Sequence, residues 1–340
     1  MNAPDVQVFF DEIHEIPGWE KFIRRLLEQE KYPVYITGSS SHLLSSEIAT
    51  TLRGRTLTVE VFPFSFHEYL SHIGVEPVPH PASKQRSIYA HQARMYMHAG
   101  GFPESIGCEP HFHRILLQNY VDTIMYRDII DRHQISQTHV VRELITYCLQ
   151  NCSSLLSINK LFHRLKSQGK AIGKNAVYDI MAYIEDAYCL FPISVFSHSH
   201  NQRSIAPKKL YAVDQGLITA YTIKPGFEHA ALLENTVFCS IRHRTSGIYY
   251  YVTHDGYEVD FVVAPAGEAV RLVQCCLSLV EPETKKREIR VLIQAMEELG
   301  LSGATIVTID EDETIDAGEG RSIQVMPLWR WLLQSDDAYS

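Results

Sequence analysis

The 340-residue chain has no run of about 18 apolar residues, so no segment reads as a membrane-spanning helix. Nor does a secretory signal open it, since acidic and polar groups follow Met1 within a few residues. Its 7 cysteines include no Cys-x-x-Cys pair, and their odd number is at variance with a disulfide framework. Together these absences lead us to expect a cytoplasmic protein with free thiols and no membrane partner. Positive charge is also short: Lys+Arg 31 against Asp+Glu 40 gives a net charge of -9, which argues against a chain coated in nucleic acid but leaves a local basic patch open. Repeats and low-complexity tracts are lacking. What remains is a globular composition, 45% hydrophobic and 21% charged, with length for two or three domains.

VQVFF at residues 6–10 is a β-branched and aromatic run that reads as a buried strand ending in Asp11 and Glu12. A strand that delivers two acids at its tip is a Walker B pattern, in which the first acid holds Mg²⁺ and the second polarises the attacking water. An acidic turn capping the next helix is the alternative reading. Trp19, Phe22, Ile23, Leu26 and Leu27 then recur at helical spacing, and a second strand at 32–36 ends in TGSSS. Strand, helix, strand with polar residues at both carboxyl ends is where an open α/β sheet places its ligand. Thr37 or Ser39 would then read a γ-phosphate. Arg53 and Arg55 are candidate fingers for transition-state charge or, equally, a solvated pair. The phosphate cradle itself is missing, because no G-x-x-x-x-G-K-[ST] occurs. The near match GKAIGKN at 169–175 has one residue too few between its glycines and lacks the Ser/Thr.

The strings FFDEIHEIPGWEKFIRRL, YITGSSSHLLSSEIATTLRGRT and VFPFSFHEYL, followed in order by GGFPES, YRDII, KKLYAVDQGL, LLENTVF and GYEVDFVV, resemble the bacterial and archaeal AAA-type ATPase family with a C-terminal DUF4143 region. The resemblance runs along nearly the whole chain. It implies ATP and Mg²⁺ as cofactors, with Asp11, Glu12, Thr37 and Arg53 or Arg55 at the nucleotide. Members of the family carry a strand and Walker A loop upstream of the Walker B strand, whereas only five residues precede it here. The expectation is an N-terminally truncated unit, or one whose start is placed late, that does not hydrolyse ATP.

Residues 65–150 read as helices broken by Gly100 and Gly101, a lid and connector for the ATPase. Arg127 and Asp128 in it read as an intrahelical surface pair. Residues 153–210 hold eight Lys or Arg against three acids, +5 within a chain of -9. Helix, turn, helix and two strands give a winged helix-turn-helix, with Lys170, Lys174, Asn175 and Tyr178 at a DNA groove and a wing around 198–203 bringing Arg203 to phosphate. A winged helix used only for packing or protein docking fits the same residues.

The C-terminal region reads as a helix bearing Glu234, a strand bearing Asp260 and a further strand ending in VQCC. This is the PD-(D/E)XK arrangement, to which DUF4143 is similar, with carboxylates gathered around Mg²⁺ and a lysine that activates water. Gln274 stands where the second carboxylate belongs and Cys276 where the lysine belongs. Glu258 shares the face of Asp260 and is placed to rescue a metal site. Residues 310–319 read as an acidic turn. The expected α/β chain is thus a partial ATPase core at 1–64, a helical lid at 65–152, a winged helix at 153–222 and a nuclease-like domain at 223–340. The leading expectation is an ATP-binding, hydrolysis-deficient AAA-type protein. Its rival is a non-enzymatic module that binds nucleic acid or protein through a degenerate nuclease fold, and an active Mg²⁺ nuclease comes third. DNA, a protein partner or a second copy of the chain are the implied partners.

Overall fold

The β-branched and aromatic run of the N-terminus forms β1 (Val8–Phe10), which pairs in parallel with β2 (Val34–Ile36), Phe10 opposite Ile36. In this computed structural model residues 6–13, 16–28, 32–38, 57–222 and 229–334 are described, and the chain is a mixed α/β protein. Parallel strands need a crossover, supplied here by α1 (Trp19–Glu28). Trp19 and Ile23 bury with Ile13 against Phe10, Leu27, Val34 and Ile36. The pleat turns Phe9 and Tyr35 outward, where their rings stack at 4.8 Å.

Helices α2 (Phe66–His72), α3 (Ser83–Ala99) and α4 (Pro110–Thr123) follow. Helix α4 runs on into a π-helical turn, Ile124–Asp131, and α5 (Thr138–Gln150) comes next. The break after α3 has a steric cause. Gly100 has φ +82, and a Cβ there would lie 1.9 Å from Asp214 Oδ1, while a Cβ on Gly101 would lie 2.2 Å from the Phe64 carbonyl. Asp214, buried, accepts from the backbone N–H groups of Gly101 at 2.6 Å and Gly216 at 2.8 Å.

Next come β3 (Leu155–Leu156), α6 (Ile158–Ser167), α7 (Lys174–Asp186), β4 (Leu190–Ile193), α8 (His200–Ile205) and β5 (Lys208–Ala212). The strands form an antiparallel sheet in the order β3-β5-β4. The stretch expected to be a wing around 198–203 is in large part helical. Ser199 caps α8 by accepting from Gln202 N, which puts Arg203 on a helix rather than a loop.

After α9 (Gln215–Tyr221) and α10 (His229–Arg242) come β6 (Ile248–Val252), β7 (Glu258–Val263), β8 (Arg271–Cys275), α11 (Pro282–Leu299), β9 (Gly303–Thr308), β10 (Glu313–Gly318), β11 (Arg321–Pro327) and α12 (Leu328–Leu332). Their sheet has the order β10-β11-β9-β8-β7-β6, with β8, β9 and β11 parallel and the other pairs antiparallel. Residues 310–319, expected as a turn, contain β10. Its alternating polar and apolar side chains suit an edge strand paired with β11. Helix α11 begins at a Glu281 cap followed by Pro282 and stops at left-handed Gly300. It buries Val291, Leu292, Ala295 and Met296 on one sheet face, each side chain larger than alanine contributing about 1.5–3 kcal/mol. The opposite face, with Phe261, Val263, Val273 and Val307, belongs to one hydrophobic cluster that reaches back to Phe66, across the expected divisions at 152 and 222.

Candidate functional site

At the carboxyl end of β1 the exposed Asp11 accepts a hydrogen bond from the Thr37 hydroxyl, at the matching end of β2. Thr37 N donates to Phe10 O at 2.9 Å, which continues the ladder one step and fixes the threonine beside the acid. Glu12 has φ +47, a left-handed conformation uncommon outside glycine, and its N–H donates to Thr37 Oγ1 at 3.3 Å. Arg127 Nη2 lies 3.6 Å from Glu12 Oε1 and its Nε 3.1 Å from Asp128 Oδ1. The pairing expected within the helix is therefore present, but the same guanidinium also reaches the tip of β1 from the π-helical turn. Ser39, Arg53 and Arg55 lie outside the described residues.

A second group of acids gathers in the C-terminal half. Glu234 on α10 and Glu258 and Asp260 on β7 converge, as the shared face of 258 and 260 requires, but on a residue that the sequence reading left unassigned. Lys209 of β5 is 2% exposed, and its Nζ lies 2.8 Å from Glu234 Oε1, 2.8 Å from Glu258 Oε1 and 2.8 Å from Asp260 Oδ1. The contact with Asp260 is a hydrogen bond, and those with Glu234 and Glu258 are ion pairs. A β-bulge helps, since the β6–β7 register shifts between Tyr249 and Tyr251. Consecutive residues Asp260 and Phe261 both reach β5, Asp260 meeting Lys209 while Phe261 packs on Tyr211, and on Phe238 of α10.

Further hydrogen bonds hold two of the acids in place. Tyr211 Oη donates to Glu234 Oε1 at 2.6 Å and Cys275 N to Asp260 Oδ2 at 2.9 Å. Gln274 Oε1 accepts from Asp260 N at 3.1 Å, and its Nε2 donates to Glu288 at 3.0 Å. Asn235, next to Glu234, pairs with both the N–H and the C=O of Ala212, so α10 grips β5 along its length. Burial, and then the charge of Asp260, raises the carboxyl of Glu234, with Lys209 opposing. Burial alone would lower the Lys209 ammonium, yet Asp260, Glu234 and Glu258 more than reverse this and raise it.

Mg²⁺ ligation by Glu234 and Asp260 does not fit this arrangement, because an ammonium lies at the point on which the three acids converge. Among the described residues no group of three or more His, Cys, Asp or Glu is arranged to hold a metal ion. Cys276 offers no substitute for a lysine, since its thiol donates to Ser278 O and burial raises it.

The basic segment is thinner at the surface than its charge suggests. Lys209 is consumed by the acids, and Lys170 pairs with Glu143 at 3.5 Å. Lys174, Asn175 and Tyr178 are exposed together on α7, with the Lys174 ammonium 5.8 Å from the Tyr178 ring centroid. Arg203 is half-buried on α8. The sequence signal for Lys209 was a lysine inside a strand, KKLYA, whose other members are apolar from Leu210 onward. Arg127 gave none beyond its place in YRDII.

Residues 2–70 match the family model of an AAA domain, and residues 90–225 match a domain of unknown function, DUF8612, in place of the DUF4143 region that the strings resemble. No helix among the described residues is long and apolar enough to cross a membrane. No solved structure matches the chain. An uncharacterized protein of Haemophilus influenzae is 26% identical over 83% of this chain and 68% of its own length. The uncharacterized protein MJ1544 of Methanocaldococcus jannaschii is 32% identical over 96% of this chain and 74% of its own. With identity at that level over almost its full extent, the chain belongs to the family of the archaeal protein.

Proposed function

We propose that the chain is an AAA-type nucleotide-binding protein in which Asp11 and Thr37 supply the Mg²⁺-facing half of an ATP site. The observation that carries this reading is the Asp11–Thr37 hydrogen bond across the carboxyl ends of two parallel strands, where an open α/β sheet takes its ligand. Exposure of Asp11 and the left-handed Glu12 beside it agree with the reading, since uncommon backbone conformations concentrate at functional sites. Asp11 would hold the hydrated Mg²⁺, Thr37 would orient that carboxylate, and Glu12 would face the terminal phosphate. Bound Mg²⁺ would neutralise phosphate charge. No Walker A loop occurs in the 340 residues, so weak nucleotide binding and no turnover are expected of them. Titration with a fluorescent ATP analogue tests this. Weak binding that needs Mg²⁺ and disappears in Asp11→Asn supports the reading. Binding that is equal in EDTA and in the variant overturns it.

A second reading concerns residues 153–222. Within them the order β3, α6, α7, β4, the short helix α8 and β5, with the sheet order β3-β5-β4, supports a winged helix. The exposed Lys174, Asn175 and Tyr178 on its second helix would face nucleic acid. Fluorescence anisotropy with duplex DNA should show weaker, less salt-dependent binding for Lys174→Ala and little change for Lys170→Ala. Equal affinities for Lys174→Ala and the unmodified protein would leave the packing role.

A further inference from the structure

The acids of the C-terminal sheet share one cation, and that cation belongs to the chain itself. We propose that Glu234, Glu258 and Asp260 form a cation site permanently occupied by the Lys209 ammonium, which stands in for a divalent metal ion and clamps β5 onto the six-stranded sheet.

Three observations carry this. The first is geometric: one ammonium lies 2.8 Å from each of three separate carboxylates, hydrogen-bonded to Asp260 and ion-paired with Glu234 and Glu258, and the lysine is 2% exposed. These are hydrogen-bond lengths of an ammonium, longer than the roughly 2.0–2.6 Å that Mg²⁺ or Ca²⁺ requires. The second is topological. The acids come from α10 and β7, whereas the lysine comes from β5 of the small three-stranded sheet. The contact therefore adds a second, side-chain link between two sheets that the backbone bridge of Val195, just after β4, to Tyr250 of β6 already joins. The third is charge. Three carboxylates around one ammonium leave an excess of acid, and loss of the lysine would leave buried carboxylates with no counter-charge, the condition under which a divalent ion binds. Hydrogen bonds from Tyr211 and Cys275 hold Glu234 and Asp260 in place whichever cation is present.

The test uses the full chain carrying Asp11→Asn, so that only the C-terminal acids are read, with Mn²⁺ as the probe. Electron paramagnetic resonance of free Mn²⁺ should show no uptake when Lys209 is present, and the melting temperature should be the same in EDTA, Mg²⁺ and Mn²⁺. Adding Lys209→Ala should lower the melting temperature in EDTA by roughly 5–15 °C. Mn²⁺ should then restore part of the loss and bind at one ion per chain. Further addition of Asp260→Asn should abolish both effects. The inference is overturned if the chain with Lys209 takes up one Mn²⁺ that Asp260→Asn removes. It is equally overturned if the folded Lys209→Ala chain neither binds Mn²⁺ nor is stabilised by it. Should Lys209→Ala fail to fold, Glu258→Gln decides. With the lysine still in place and one excess charge gone, its melting temperature should stay within about 3 °C of the parent, and a fall as large as that expected for Lys209→Ala rejects the clamp.

Discussion

The ends of β1 and β7 both present acids, yet in opposite circumstances. Asp11 is exposed, its partner is a hydroxyl, and Glu12 beside it meets a guanidinium that is itself half in solvent. Asp260, Glu258 and Glu234 surround a lysine sealed from water, each with an oxygen 2.8 Å from its nitrogen. An exposed carboxylate stays hydrated at little cost and is free to take a cation from solution. A buried one costs several kcal/mol unless a counter-charge is built in. Depth thus decides whether a strand-end acid imports its cation or carries it.

The largest effect expected tests that contrast directly. Lys209→Ala should lower unfolding free energy by about 3–5 kcal/mol in urea titrations, whereas Asp11→Ala should stay within about 0.5 kcal/mol. The reverse ranking would break the comparison. Glu60 comes next, because its segment links the two regions. Its carboxylate takes both terminal nitrogens of Arg242 at 2.7 Å and the Tyr188 hydroxyl at 2.8 Å. Burial pushes this carboxyl up, but Arg242 and Tyr188 more than offset that and hold it below its ordinary 4.5. A lowered value means the stabilisation is present above about pH 4.5 and fades as pH falls through the folded value. Glu60→Gln should cost about 1–3 kcal/mol at pH 7, and the gap to the parent should close in acid. Arg127→Ala should cost about 1 kcal/mol, since its guanidinium is half in solvent while Asp128 beside it is buried; a loss as large as that of Lys209→Ala would place the N-terminal tip among the structural ion pairs. Last, Mg²⁺-dependent plasmid nicking should not differ between the parent and Asp260→Ala. Nicking that only the parent performs would reopen the metal reading of the C-terminal acids.

Much of the scaffold was legible because its periods are strong. Strands β1 and β2 lie within the expected runs 6–10 and 32–36, and α1 carries Trp19, Phe22, Ile23, Leu26 and Leu27 at the expected helical spacing. Strand β10 was hidden because acids and turn formers outweigh its alternation. Helix α8 was hidden because a six-residue helix between two strands looks like a wing. At the C-terminal site the sequence identified Glu234 and Asp260, and alternation added Glu258. Lys209 could not be found that way. It lies 51 residues from Asp260 and in a different sheet, so only the fold brings its charge to the acids. The +5 of residues 153–210 overstates the charge at the surface for the same reason, since Lys209 is buried among acids.

Asp214 has a consequence for the order in which the chain is built. Its carboxylate closes on Gly101 across 113 residues of sequence, and Gly216, two positions on, admits no side chain beside the Ala99 carbonyl. Helices α2 to α5 leave the ribosome long before these partners exist. Closing so long a loop is slow and depends on contacts that form late. The turn after α3 therefore waits for the cap of α9, and the N-terminal helices complete their packing on a template made after them.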